Sequence, residues 1–498
     1  MNVAEVVATI PMPWGPFLRK LGRVLQLLAV SPADSVSSFA SRGDEAAFYE
    51  VVNDKRCEPR RVLDGHRIMV LDEPNEETQA GTSRHLAIHD TTSLSFGGQR
   101  DGLYPIHGGK NSNESGLFLH ASLLAERRTD GTVLPETLAH HETYTRKPKT
   151  TTTKKKKSAT KKKSNGKPAT TQQPTKSATT AQKRESARWV RGIRGTNREV
   201  EQRGDEVVHI CDCEADDYEI FHAASSQGFV IRARHDRKLF DEHGKPSIKM
   251  SATVNLGEGV ELEEITLKKR APKKQPAANK KHPPREQRQA KLLIGWHVVT
   301  LPRPQRAAKN LPKTMDVTLV WVREDPSTIP ENGEGIEWTL LTNLEVNDAT
   351  SAKEVVELYR KRWLVEDFFK VFKAGTAIEA RQHRSRETIQ NLMGMLMVIA
   401  LEMFRSLKVW REMSESPAET VFDEFTLEVL KEMDVSSKPK KLKNFTTLTV
   451  MQVVVAIAQL GGYKPNNHKP PGFKVLWRGH HLLTHYKRAF RAARNQPP

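Results

Sequence analysis

The chain is poor in the features that mark secreted and membrane proteins. Its three cysteines, Cys57, Cys211 and Cys213, cannot form a closed disulfide framework, which favours a reducing compartment. No second cysteine pair accompanies Cys211 and Cys213, so we expect no zinc site there. The sequence also lacks a run of about 18 apolar residues and a basic segment followed by an apolar one. We therefore expect no membrane span and no signal peptide, and a cytoplasmic protein.

Acidic residues are absent from one long stretch of the chain. Residues 146–184 contain 14 Lys or Arg, no acid and no apolar residue larger than Ala, so this stretch cannot form a core and should be disordered. A second run, 268–291, carries 10 basic residues against one Glu. The two runs contribute +14 and +9 to the net charge of +19, which leaves the rest of the chain at about −4. They are either solubilising linkers or arms that bind DNA phosphates, and we favour the second interpretation.

Two short apolar segments are each followed by an aspartate. Residues 85–89 precede Asp90 and residues 206–211 precede Asp212, and each segment is typical of a buried strand that ends at its aspartate. Asp often ends strands and caps helices, so either residue alone is a weak signal. Together with Glu366, however, they would supply the oxygen ligands that hard divalent cations require, with positions left open for water and phosphate.

Glu366 belongs to a regular pattern of polar residues at steps of 3, 4, 4 and 3: Tyr359, Arg362, Glu366, Lys370 and Lys373. At about 100° per residue they fall within roughly 80°, which predicts one face of a single helix. Such a face is commonly a solvated ladder of ion pairs worth about 0.3 to 0.5 kcal/mol each. Asp90 and Asp212 favour instead a metal site to which this helix contributes its carboxylate.

The pattern Tyr-xx-Arg-xxx-Glu-xxxxxx-Lys resembles the signature of the insertion-sequence-four family of bacterial transposases. Asp90-Thr-Thr-Ser, and Cys-Asp-x-Glu-Ala-Asp at 211–216, resemble the flanks of that family's two catalytic aspartates. Similarity continues through 229–235, 337–342 and 460–479, so it covers about residues 17 to 485. The first 15 residues depart from the family pattern, and Cys213 stands where an Arg is usual.

The order of segments agrees with the fold that the resemblance implies. Three strands, a helix, a strand, a helix and a strand are expected in an α/β ribonuclease-H-like catalytic core. We expect this core at 71–237 and 351–387, with the disordered Lys-rich insertion at 146–184 and a β-rich insertion at 238–350. Residues 1–70 should form a helical module that binds the DNA ends, and 388–498 a helical dimerisation region.

The resemblance also implies roles for single residues. Asp90, Asp212 and Glu366 would be the catalytic residues and would hold two Mg²⁺ ions, for which Mn²⁺ could substitute. Water would free a 3′ hydroxyl at the transposon end, and this hydroxyl would form a hairpin and finally attack target DNA. Trp338 lies 28 residues before Glu366, as does a family Trp that stacks on a flipped base, although a Trp in an apolar run is commonly a core residue. The other expected DNA contacts are Tyr359, Arg362, Lys370, Lys373, Arg232 and Arg234.

The sequence thus predicts a DNA transposase of the cut-and-paste type. Its expected partners are double-stranded DNA, as transposon ends and as target, and a second copy of the chain in a homodimer associated with the nucleoid. Two alternatives remain open at this point. One is a ribonuclease-H-like DNA nuclease that performs no strand transfer, and the other is an inactive domesticated protein that only binds DNA.

Overall fold

A computed structural model of the chain provides the description that follows. It describes residues 3–12, 15–39, 41–71, 85–106, 114–128, 130–146, 180–240, 245–256, 259–272, 284–331, 333–433, 447–464 and 470–494. Residues 147–179, the larger part of the predicted Lys-rich insertion, lie outside this description, as do 273–283 of the second basic run. Among the described residues, no helix has the length and apolar composition needed to cross a membrane.

The strands fall mainly in the middle of the chain, between two helical regions. The strands are β1 His85–Gly97, β2 Glu114–Arg127, β3 Val133–Tyr144, β4 Val207–Cys211, β5 Gly228–Arg232, β6 Lys238–Phe240, β7 Pro246–Lys249, β8 Val260–Leu267, β9 Arg288–Pro302, β10 Thr314–Glu324 and β11 Glu337–Thr342. The helices are α1 Val3–Ala8, α2 Gly15–Val30, α3 Arg42–Asn53, α4 Pro59–Leu71, α5 Thr180–Glu201, α6 Tyr218–Ala224, α7 Met250–Leu256, α8 Ala349–Arg360, α9 Trp363–Lys370, α10 Arg386–Glu412, α11 Glu424–Glu432, α12 Val450–Leu460 and α13 Phe473–Ala493.

One mixed sheet organises the fold, with the strand order β3-β2-β1-β4-β5-β11-β10-β9-β8. Pairing is parallel between β1 and β4 and between β4 and β5, and antiparallel along the rest of the sheet. The first five strands, with α5 and α6 between them in the chain, have the order predicted from sequence and fit a ribonuclease-H-like core. Strands β8 to β11 come from the predicted β-rich insertion and extend this same sheet from β5.

Helices cover both faces of the sheet. On one face, α5 and α6 pack through Trp189, Ile193 and Phe221. On the other face, α8, α9 and α10 share a large core with the N-terminal helices. The middle of α10 is buried on nearly every side, which explains why its sequence is apolar around the whole helix. This helix therefore joins the sheet to the N-terminal and C-terminal helical regions.

Two glycines in the C-terminal region are required by close helix packing. A Cβ atom at Gly461 would lie 1.8 Å from the carbonyl oxygen of Val475, and one at Gly479 would lie 1.7 Å from that of Ile457. Any larger residue at either position would force α12 and α13 apart. The glycine motifs of the expected dimerisation region are therefore used for contact within one chain.

The prediction of one continuous helix through Tyr359 and Lys373 is wrong. Helix α8 ends at Arg360 and α9 begins at Trp363. Between them, the N–H of Arg362 donates to the carbonyl oxygen of Tyr359 at 3.0 Å, which is the tighter 3₁₀ pattern. After α9, Val371–Gly375 forms a π-helical turn that contains Lys373. Spacing rules assume 3.6 residues per turn throughout, so they could not show these two changes of pitch.

The prediction that a strand ends at Asp90 is also wrong. Strand β1 continues to Gly97 because β2 pairs with it along its whole length. The pairing with β4, in contrast, ends where His89 lies opposite Cys211. Asp90 therefore lies within a long strand, but at the point where one of its two neighbours stops.

Ala377 follows the π-helical turn with a left-handed backbone, at φ 48° and ψ 36°. This conformation costs a residue with a Cβ about 1 to 2 kcal/mol. We expect Ala377→Gly to raise the free energy of unfolding by about 1 kcal/mol despite the larger entropy of glycine in the unfolded chain. Urea denaturation measures this change.

The matched control is Ala489→Gly, at an exposed position inside α13. There glycine should lower the free energy of unfolding by about 1 kcal/mol, because the backbone is helical. Equal destabilisation by both substitutions would contradict the strained backbone at Ala377.

Candidate active site

Asp90 and Asp212 lie side by side because of the parallel pairing between β1 and β4. The ladder ends with His89 opposite Cys211. Asp90 is the next residue of β1, and Asp212 directly follows the end of β4. The backbone N–H of Thr91 donates to Asp90 Oδ1 at 2.7 Å. Asp212 Oδ1 accepts the N–H of Glu214 at 2.8 Å and so caps a short 3₁₀ turn. Each carboxylate is thus anchored through one of its two oxygens.

Glu366 reaches the two aspartates from α9 and is linked to them by Arg362. Arg362 Nη1 lies 2.6 Å from Glu366 Oε1 and 4.0 Å from Asp90 Oδ2. The guanidinium is largely shielded from solvent. Burial raises the pKa of Asp212, and the charge of Arg362 partly opposes that rise. The structure therefore gathers Asp90, Asp212 and Glu366 around one arginine.

Tyr359, Arg232 and Trp338 flank this cluster. Burial raises the pKa of Tyr359, and a hydrogen bond from Arg232 partly opposes that rise. Arg232 is the last residue of β5, and its charge opposes part of the rise that burial causes in the pKa of Asp212. The half-buried ring of Trp338 lies edge-on to that of Tyr359, with centroids 6.4 Å apart. Tyr359 and Arg232 therefore adjoin the carboxylates, and Trp338 lies next to Tyr359.

The remaining predicted contacts have partners elsewhere. Lys370 is exposed and pairs with Asp367 at 3.0 Å. Lys373 is half-buried in the π-helical turn, where burial lowers its pKa and the charge of Glu379 raises it. Arg234 is exposed beyond the end of β5 and lines a cavity of about 870 Å³ beside the site, together with Thr91 and Cys213.

The comparison with known families agrees with this geometry. The family model described as "Transposase DDE domain" matches residues 56–402, which include Asp90, Asp212 and Glu366. The chain belongs to the transposase DDE domain family. Enzymes of this family cleave and join DNA strands and generally use divalent metal ions. The α/β architecture and the mixed sheet fit the ribonuclease-H-like core of such a transposase.

The electrostatics of the site favour a cation. The pKa of Asp90 is raised to about 7, mainly by burial. The charges of Asp212 and Glu366 contribute to this rise, and the Thr91 N–H and the charge of Arg362 oppose it. Burial raises the pKa of Asp212 as well. Arg362 therefore does not balance the negative charge that the three carboxylates carry when all are ionised.

The carboxylate oxygens of the site are suitable ligands for a hard divalent cation, although the three side chains are not arranged to coordinate one ion together. In the part of the chain that the structure describes, no three His, Cys, Asp or Glu side chains lie close enough together to hold a metal ion. Glu366 is bonded to Arg362, so a metal would have to replace the arginine as its partner. Carboxylate oxygens are the ligands that Mg²⁺ and Mn²⁺ prefer, and in this respect the residues fit.

Sequence reasoning missed two features next to the site. The side chain of Trp363 is 57% exposed, and Arg362 lies over its ring at 4.9 Å from the centroid. Trp363 directly follows Arg362 in the sequence, but it is not part of the polar helix face that the spacing predicted. The second feature is a group of buried histidines beneath Asp90, including His89, His120 and His209. Their recurrence in apolar strands was the available signal.

Burial of the Asp90 carboxylate, together with repulsion from its neighbours, predicts that Asp90→Asn stabilises the metal-free protein. The folded pKa of Asp90, about 7, lies above its ordinary value of 3.8. Its contribution to stability is therefore present below about pH 3.8 and is lost as the pH rises through about 7. At pH 8 with a chelator we expect Asp90→Asn to be more stable than the wild type by about 2 kcal/mol, roughly half of what the full shift would give.

Thermal melting at pH 8 and pH 5 checks this expectation. The difference between Asp90→Asn and the wild type should shrink at pH 5, where the folded wild type binds the proton. Asp130→Asn, in an exposed turn that the Thr132 N–H caps, should raise the melting temperature at neither pH. A variant Asp90→Asn that melts below the wild type at pH 8 would contradict the repulsion.

Proposed function

We propose that this protein is a cut-and-paste DNA transposase of the insertion-sequence-four type, in which Asp90, Asp212 and Glu366 are the catalytic carboxylates. The observation that carries the proposal is their gathering around Arg362 from three separate parts of the chain. Burial and the charges of Asp212 and Glu366 disfavour the ionised form of Asp90. A cluster that costs stability in this way is typical of a functional site.

The carboxylates would hold two divalent cations, Mg²⁺ with Mn²⁺ as a substitute, which would supply activation of the attacking oxygen and neutralisation of the leaving 3′ oxygen. Arg362 would exchange Glu366 for a phosphate oxygen of the scissile strand, because a guanidinium binds carboxylates and phosphates in the same forked geometry. Tyr359 and Arg232 adjoin the same face and would fix the neighbouring phosphates.

The reaction would then consist of four in-line displacements at phosphorus. In the first, water attacks the end phosphate and the 3′ oxygen leaves as a free hydroxyl. In the second, this hydroxyl attacks the opposite strand, forms a hairpin and releases the flanking DNA. In the third, water attacks the hairpin phosphate and the 3′ oxygen leaves again as a free hydroxyl. In the fourth, this hydroxyl attacks target DNA and displaces a 3′ oxygen there. A single carboxylate cluster would serve each displacement.

Trp338 would stack on a base that leaves the duplex during hairpin formation. Its ring is half-buried beside Tyr359, so one part is held by protein while the rest is accessible. Trp363, over whose ring Arg362 lies, offers a second aromatic surface. Base stacking on such rings is worth about 1 to 3 kcal/mol per base.

A homodimer would pair the two transposon ends. Since Gly461 and Gly479 are used inside one chain, the surface for the partner would involve other residues of 388–498. The helical region 1–70 would bind the ends. We place the protein in the cytoplasm, on the nucleoid, because its substrate is DNA.

The central test of the catalytic assignment substitutes the three acids singly: Asp90→Asn, Asp212→Asn and Glu366→Gln. Each should abolish cleavage of a duplex that carries the inverted repeats bracketing the gene, while binding of that duplex persists. Asp367→Asn is the matched control, because Asp367 follows Glu366 directly but pairs with Lys370 and Lys408 at the surface. Labelled-strand gels with Mg²⁺ measure cleavage and joining.

The outcomes separate the candidate functions. Normal cleavage by any one variant would remove that residue from the catalytic set. Cleavage by the wild type without any joined product would favour the nuclease, and binding without cleavage would favour the inactive DNA-binding protein.

Trp338→Ala should spare the first nick and slow hairpin formation by about ten- to a hundredfold. Nicking needs only water and a positioned phosphate, whereas hairpin closure forces a base out of the stack. Time courses of nicked and hairpin products measure both steps. If Trp338 served only as a core residue, its loss would cost about 3 to 5 kcal/mol of stability and slow both steps equally. Trp363→Ala provides the comparison at an exposed position, where the melting temperature should not change.

If the lysines of 147–179 bind DNA phosphates, their removal should change how DNA affinity depends on salt concentration. Replacement of the eleven lysines in 147–179 by glutamine keeps the length of the segment and its attachment to α5. Non-specific DNA binding should weaken, and the slope of log affinity against log salt should flatten by about 0.9 for each phosphate that is no longer neutralised. Filter binding at several salt concentrations measures the slope. An unchanged slope would show that the segment does not bind DNA.

A further inference from the structure

Four buried side chains form a continuous line of hydrogen bonds beneath the two aspartates. Ser122 Oγ lies 2.8 Å from His89 Nδ1, His89 Nε2 lies 2.9 Å from His209 Nδ1, and His209 Nε2 lies 2.6 Å from Asn197 Oδ1. Ser122, His89 and His209 are fully buried and Asn197 is 6% exposed. The line connects β2, β1, β4 and α5 in that order.

The partners at one end determine the direction of every bond in the line. Asn197 Nδ2 donates to Ser226 Oγ at 2.9 Å, which leaves its Oδ1 as an acceptor for His209. His209 must then donate from Nε2 and accept at Nδ1, and His89 must do the same. Ser122 therefore donates at the head of the line. Both imidazoles are neutral in this arrangement, and burial lowers the pKa of both.

The line crosses the sheet where the backbone stops holding β1 to β4. The parallel ladder ends with His89 opposite Cys211, and the mutually repelling Asp90 and Asp212 follow at once. The bond from His89 to His209 ties the two strands on the face opposite to Asp90, since neighbouring side chains of a strand alternate. Gly192 lets α5 cover this face, because a Cβ there would lie 3.1 Å from Ser122 Oγ.

We propose that Ser122, His89, His209 and Asn197 are positioning residues that hold Asp90 and Asp212 at the separation needed to share a divalent cation. The proposal rests on the proposed function of these aspartates. The hydrogen bonds restrain β1 and β4 against the repulsion of the carboxylates, so the metal site does not have to be assembled from separated strands. Loss of one bond should weaken metal binding, even though none of the four side chains is placed as a ligand.

The direction of the line can be tested without DNA or metal. Nitrogen-15 NMR of histidine-labelled protein at pH 7.5 distinguishes the two neutral tautomers, with signals assigned by His89→Gln and His209→Gln. We expect both residues to carry the proton on Nε2. A proton on Nδ1 of either residue, or on both nitrogens, would overturn the line.

The positioning role can be tested with Ser122→Ala, which removes the donor at the head of the line. Ser115→Ala is the matched control, because Ser115 is a buried serine of the same strand that donates to the Gly98 carbonyl oxygen at 2.8 Å. Calorimetric titration of the full chain with Mn²⁺ is compared with thermal melting. Both variants should melt at a lower temperature, but only Ser122→Ala should bind Mn²⁺ about tenfold more weakly.

Equal Mn²⁺ affinity in Ser122→Ala and Ser115→Ala would reduce the line to a purely structural role and overturn the proposal. Ser122→Thr, which keeps the hydroxyl donor, should recover most of the affinity. Asp90→Asn separates the positioning role from the carboxylate site itself. If Asp90→Asn binds Mn²⁺ as tightly as the wild type, the assignment of the carboxylate site is wrong, and so is the positioning role that depends on it. The histidine tautomers would still show whether the line of hydrogen bonds exists.

Discussion

The parallel pairing of β1 with β4 is the constraint on which the candidate site depends. It places two aspartates at neighbouring strand positions although they are 122 residues apart in the chain. Helix α9 packs its apolar side on the face of the sheet opposite to α5 and so brings Glu366 close to the two aspartates. Arg362 pairs with Glu366 of α9 and lies 4.0 Å from Asp90 of β1, so it links the helix to the strand through their carboxylates.

This arrangement of buried acids lowers the stability of the fold. Burial and like charges raise the pKa of Asp90, and burial raises that of Asp212 as well. Strain also accumulates just after α9, where a π-helical turn is followed by the left-handed Ala377. Hydrogen bonds on the other face of the sheet oppose this cost, since the line from Ser122 to Asn197 spans the strands that carry both aspartates.

The sequence predicted what depends on local pattern. Apolar segments followed by Asp90 and Asp212 indicated the strands and their order, and the spacing around Glu366 indicated the third acid. Properties that depend on neighbours in space could not be predicted in this way. Strand β1 continues past Asp90 because β2 pairs with it, and the pitch changes near Arg362 and Lys373 depend on packing. The histidine line unites residues from four elements, and the exposure of Trp363 depends on where α9 lies.

Our central proposal is that Asp90, Asp212 and Glu366 together hold the divalent cations that drive strand cleavage and joining. The most direct measurement is anomalous X-ray diffraction from crystals of the full chain soaked in MnCl₂. We predict anomalous peaks between the carboxylates of Asp90 and Asp212, with Glu366 turned from Arg362 towards the metal. Ordered manganese elsewhere, with the three carboxylates free of metal and Glu366 still bonded to Arg362, would contradict this assignment.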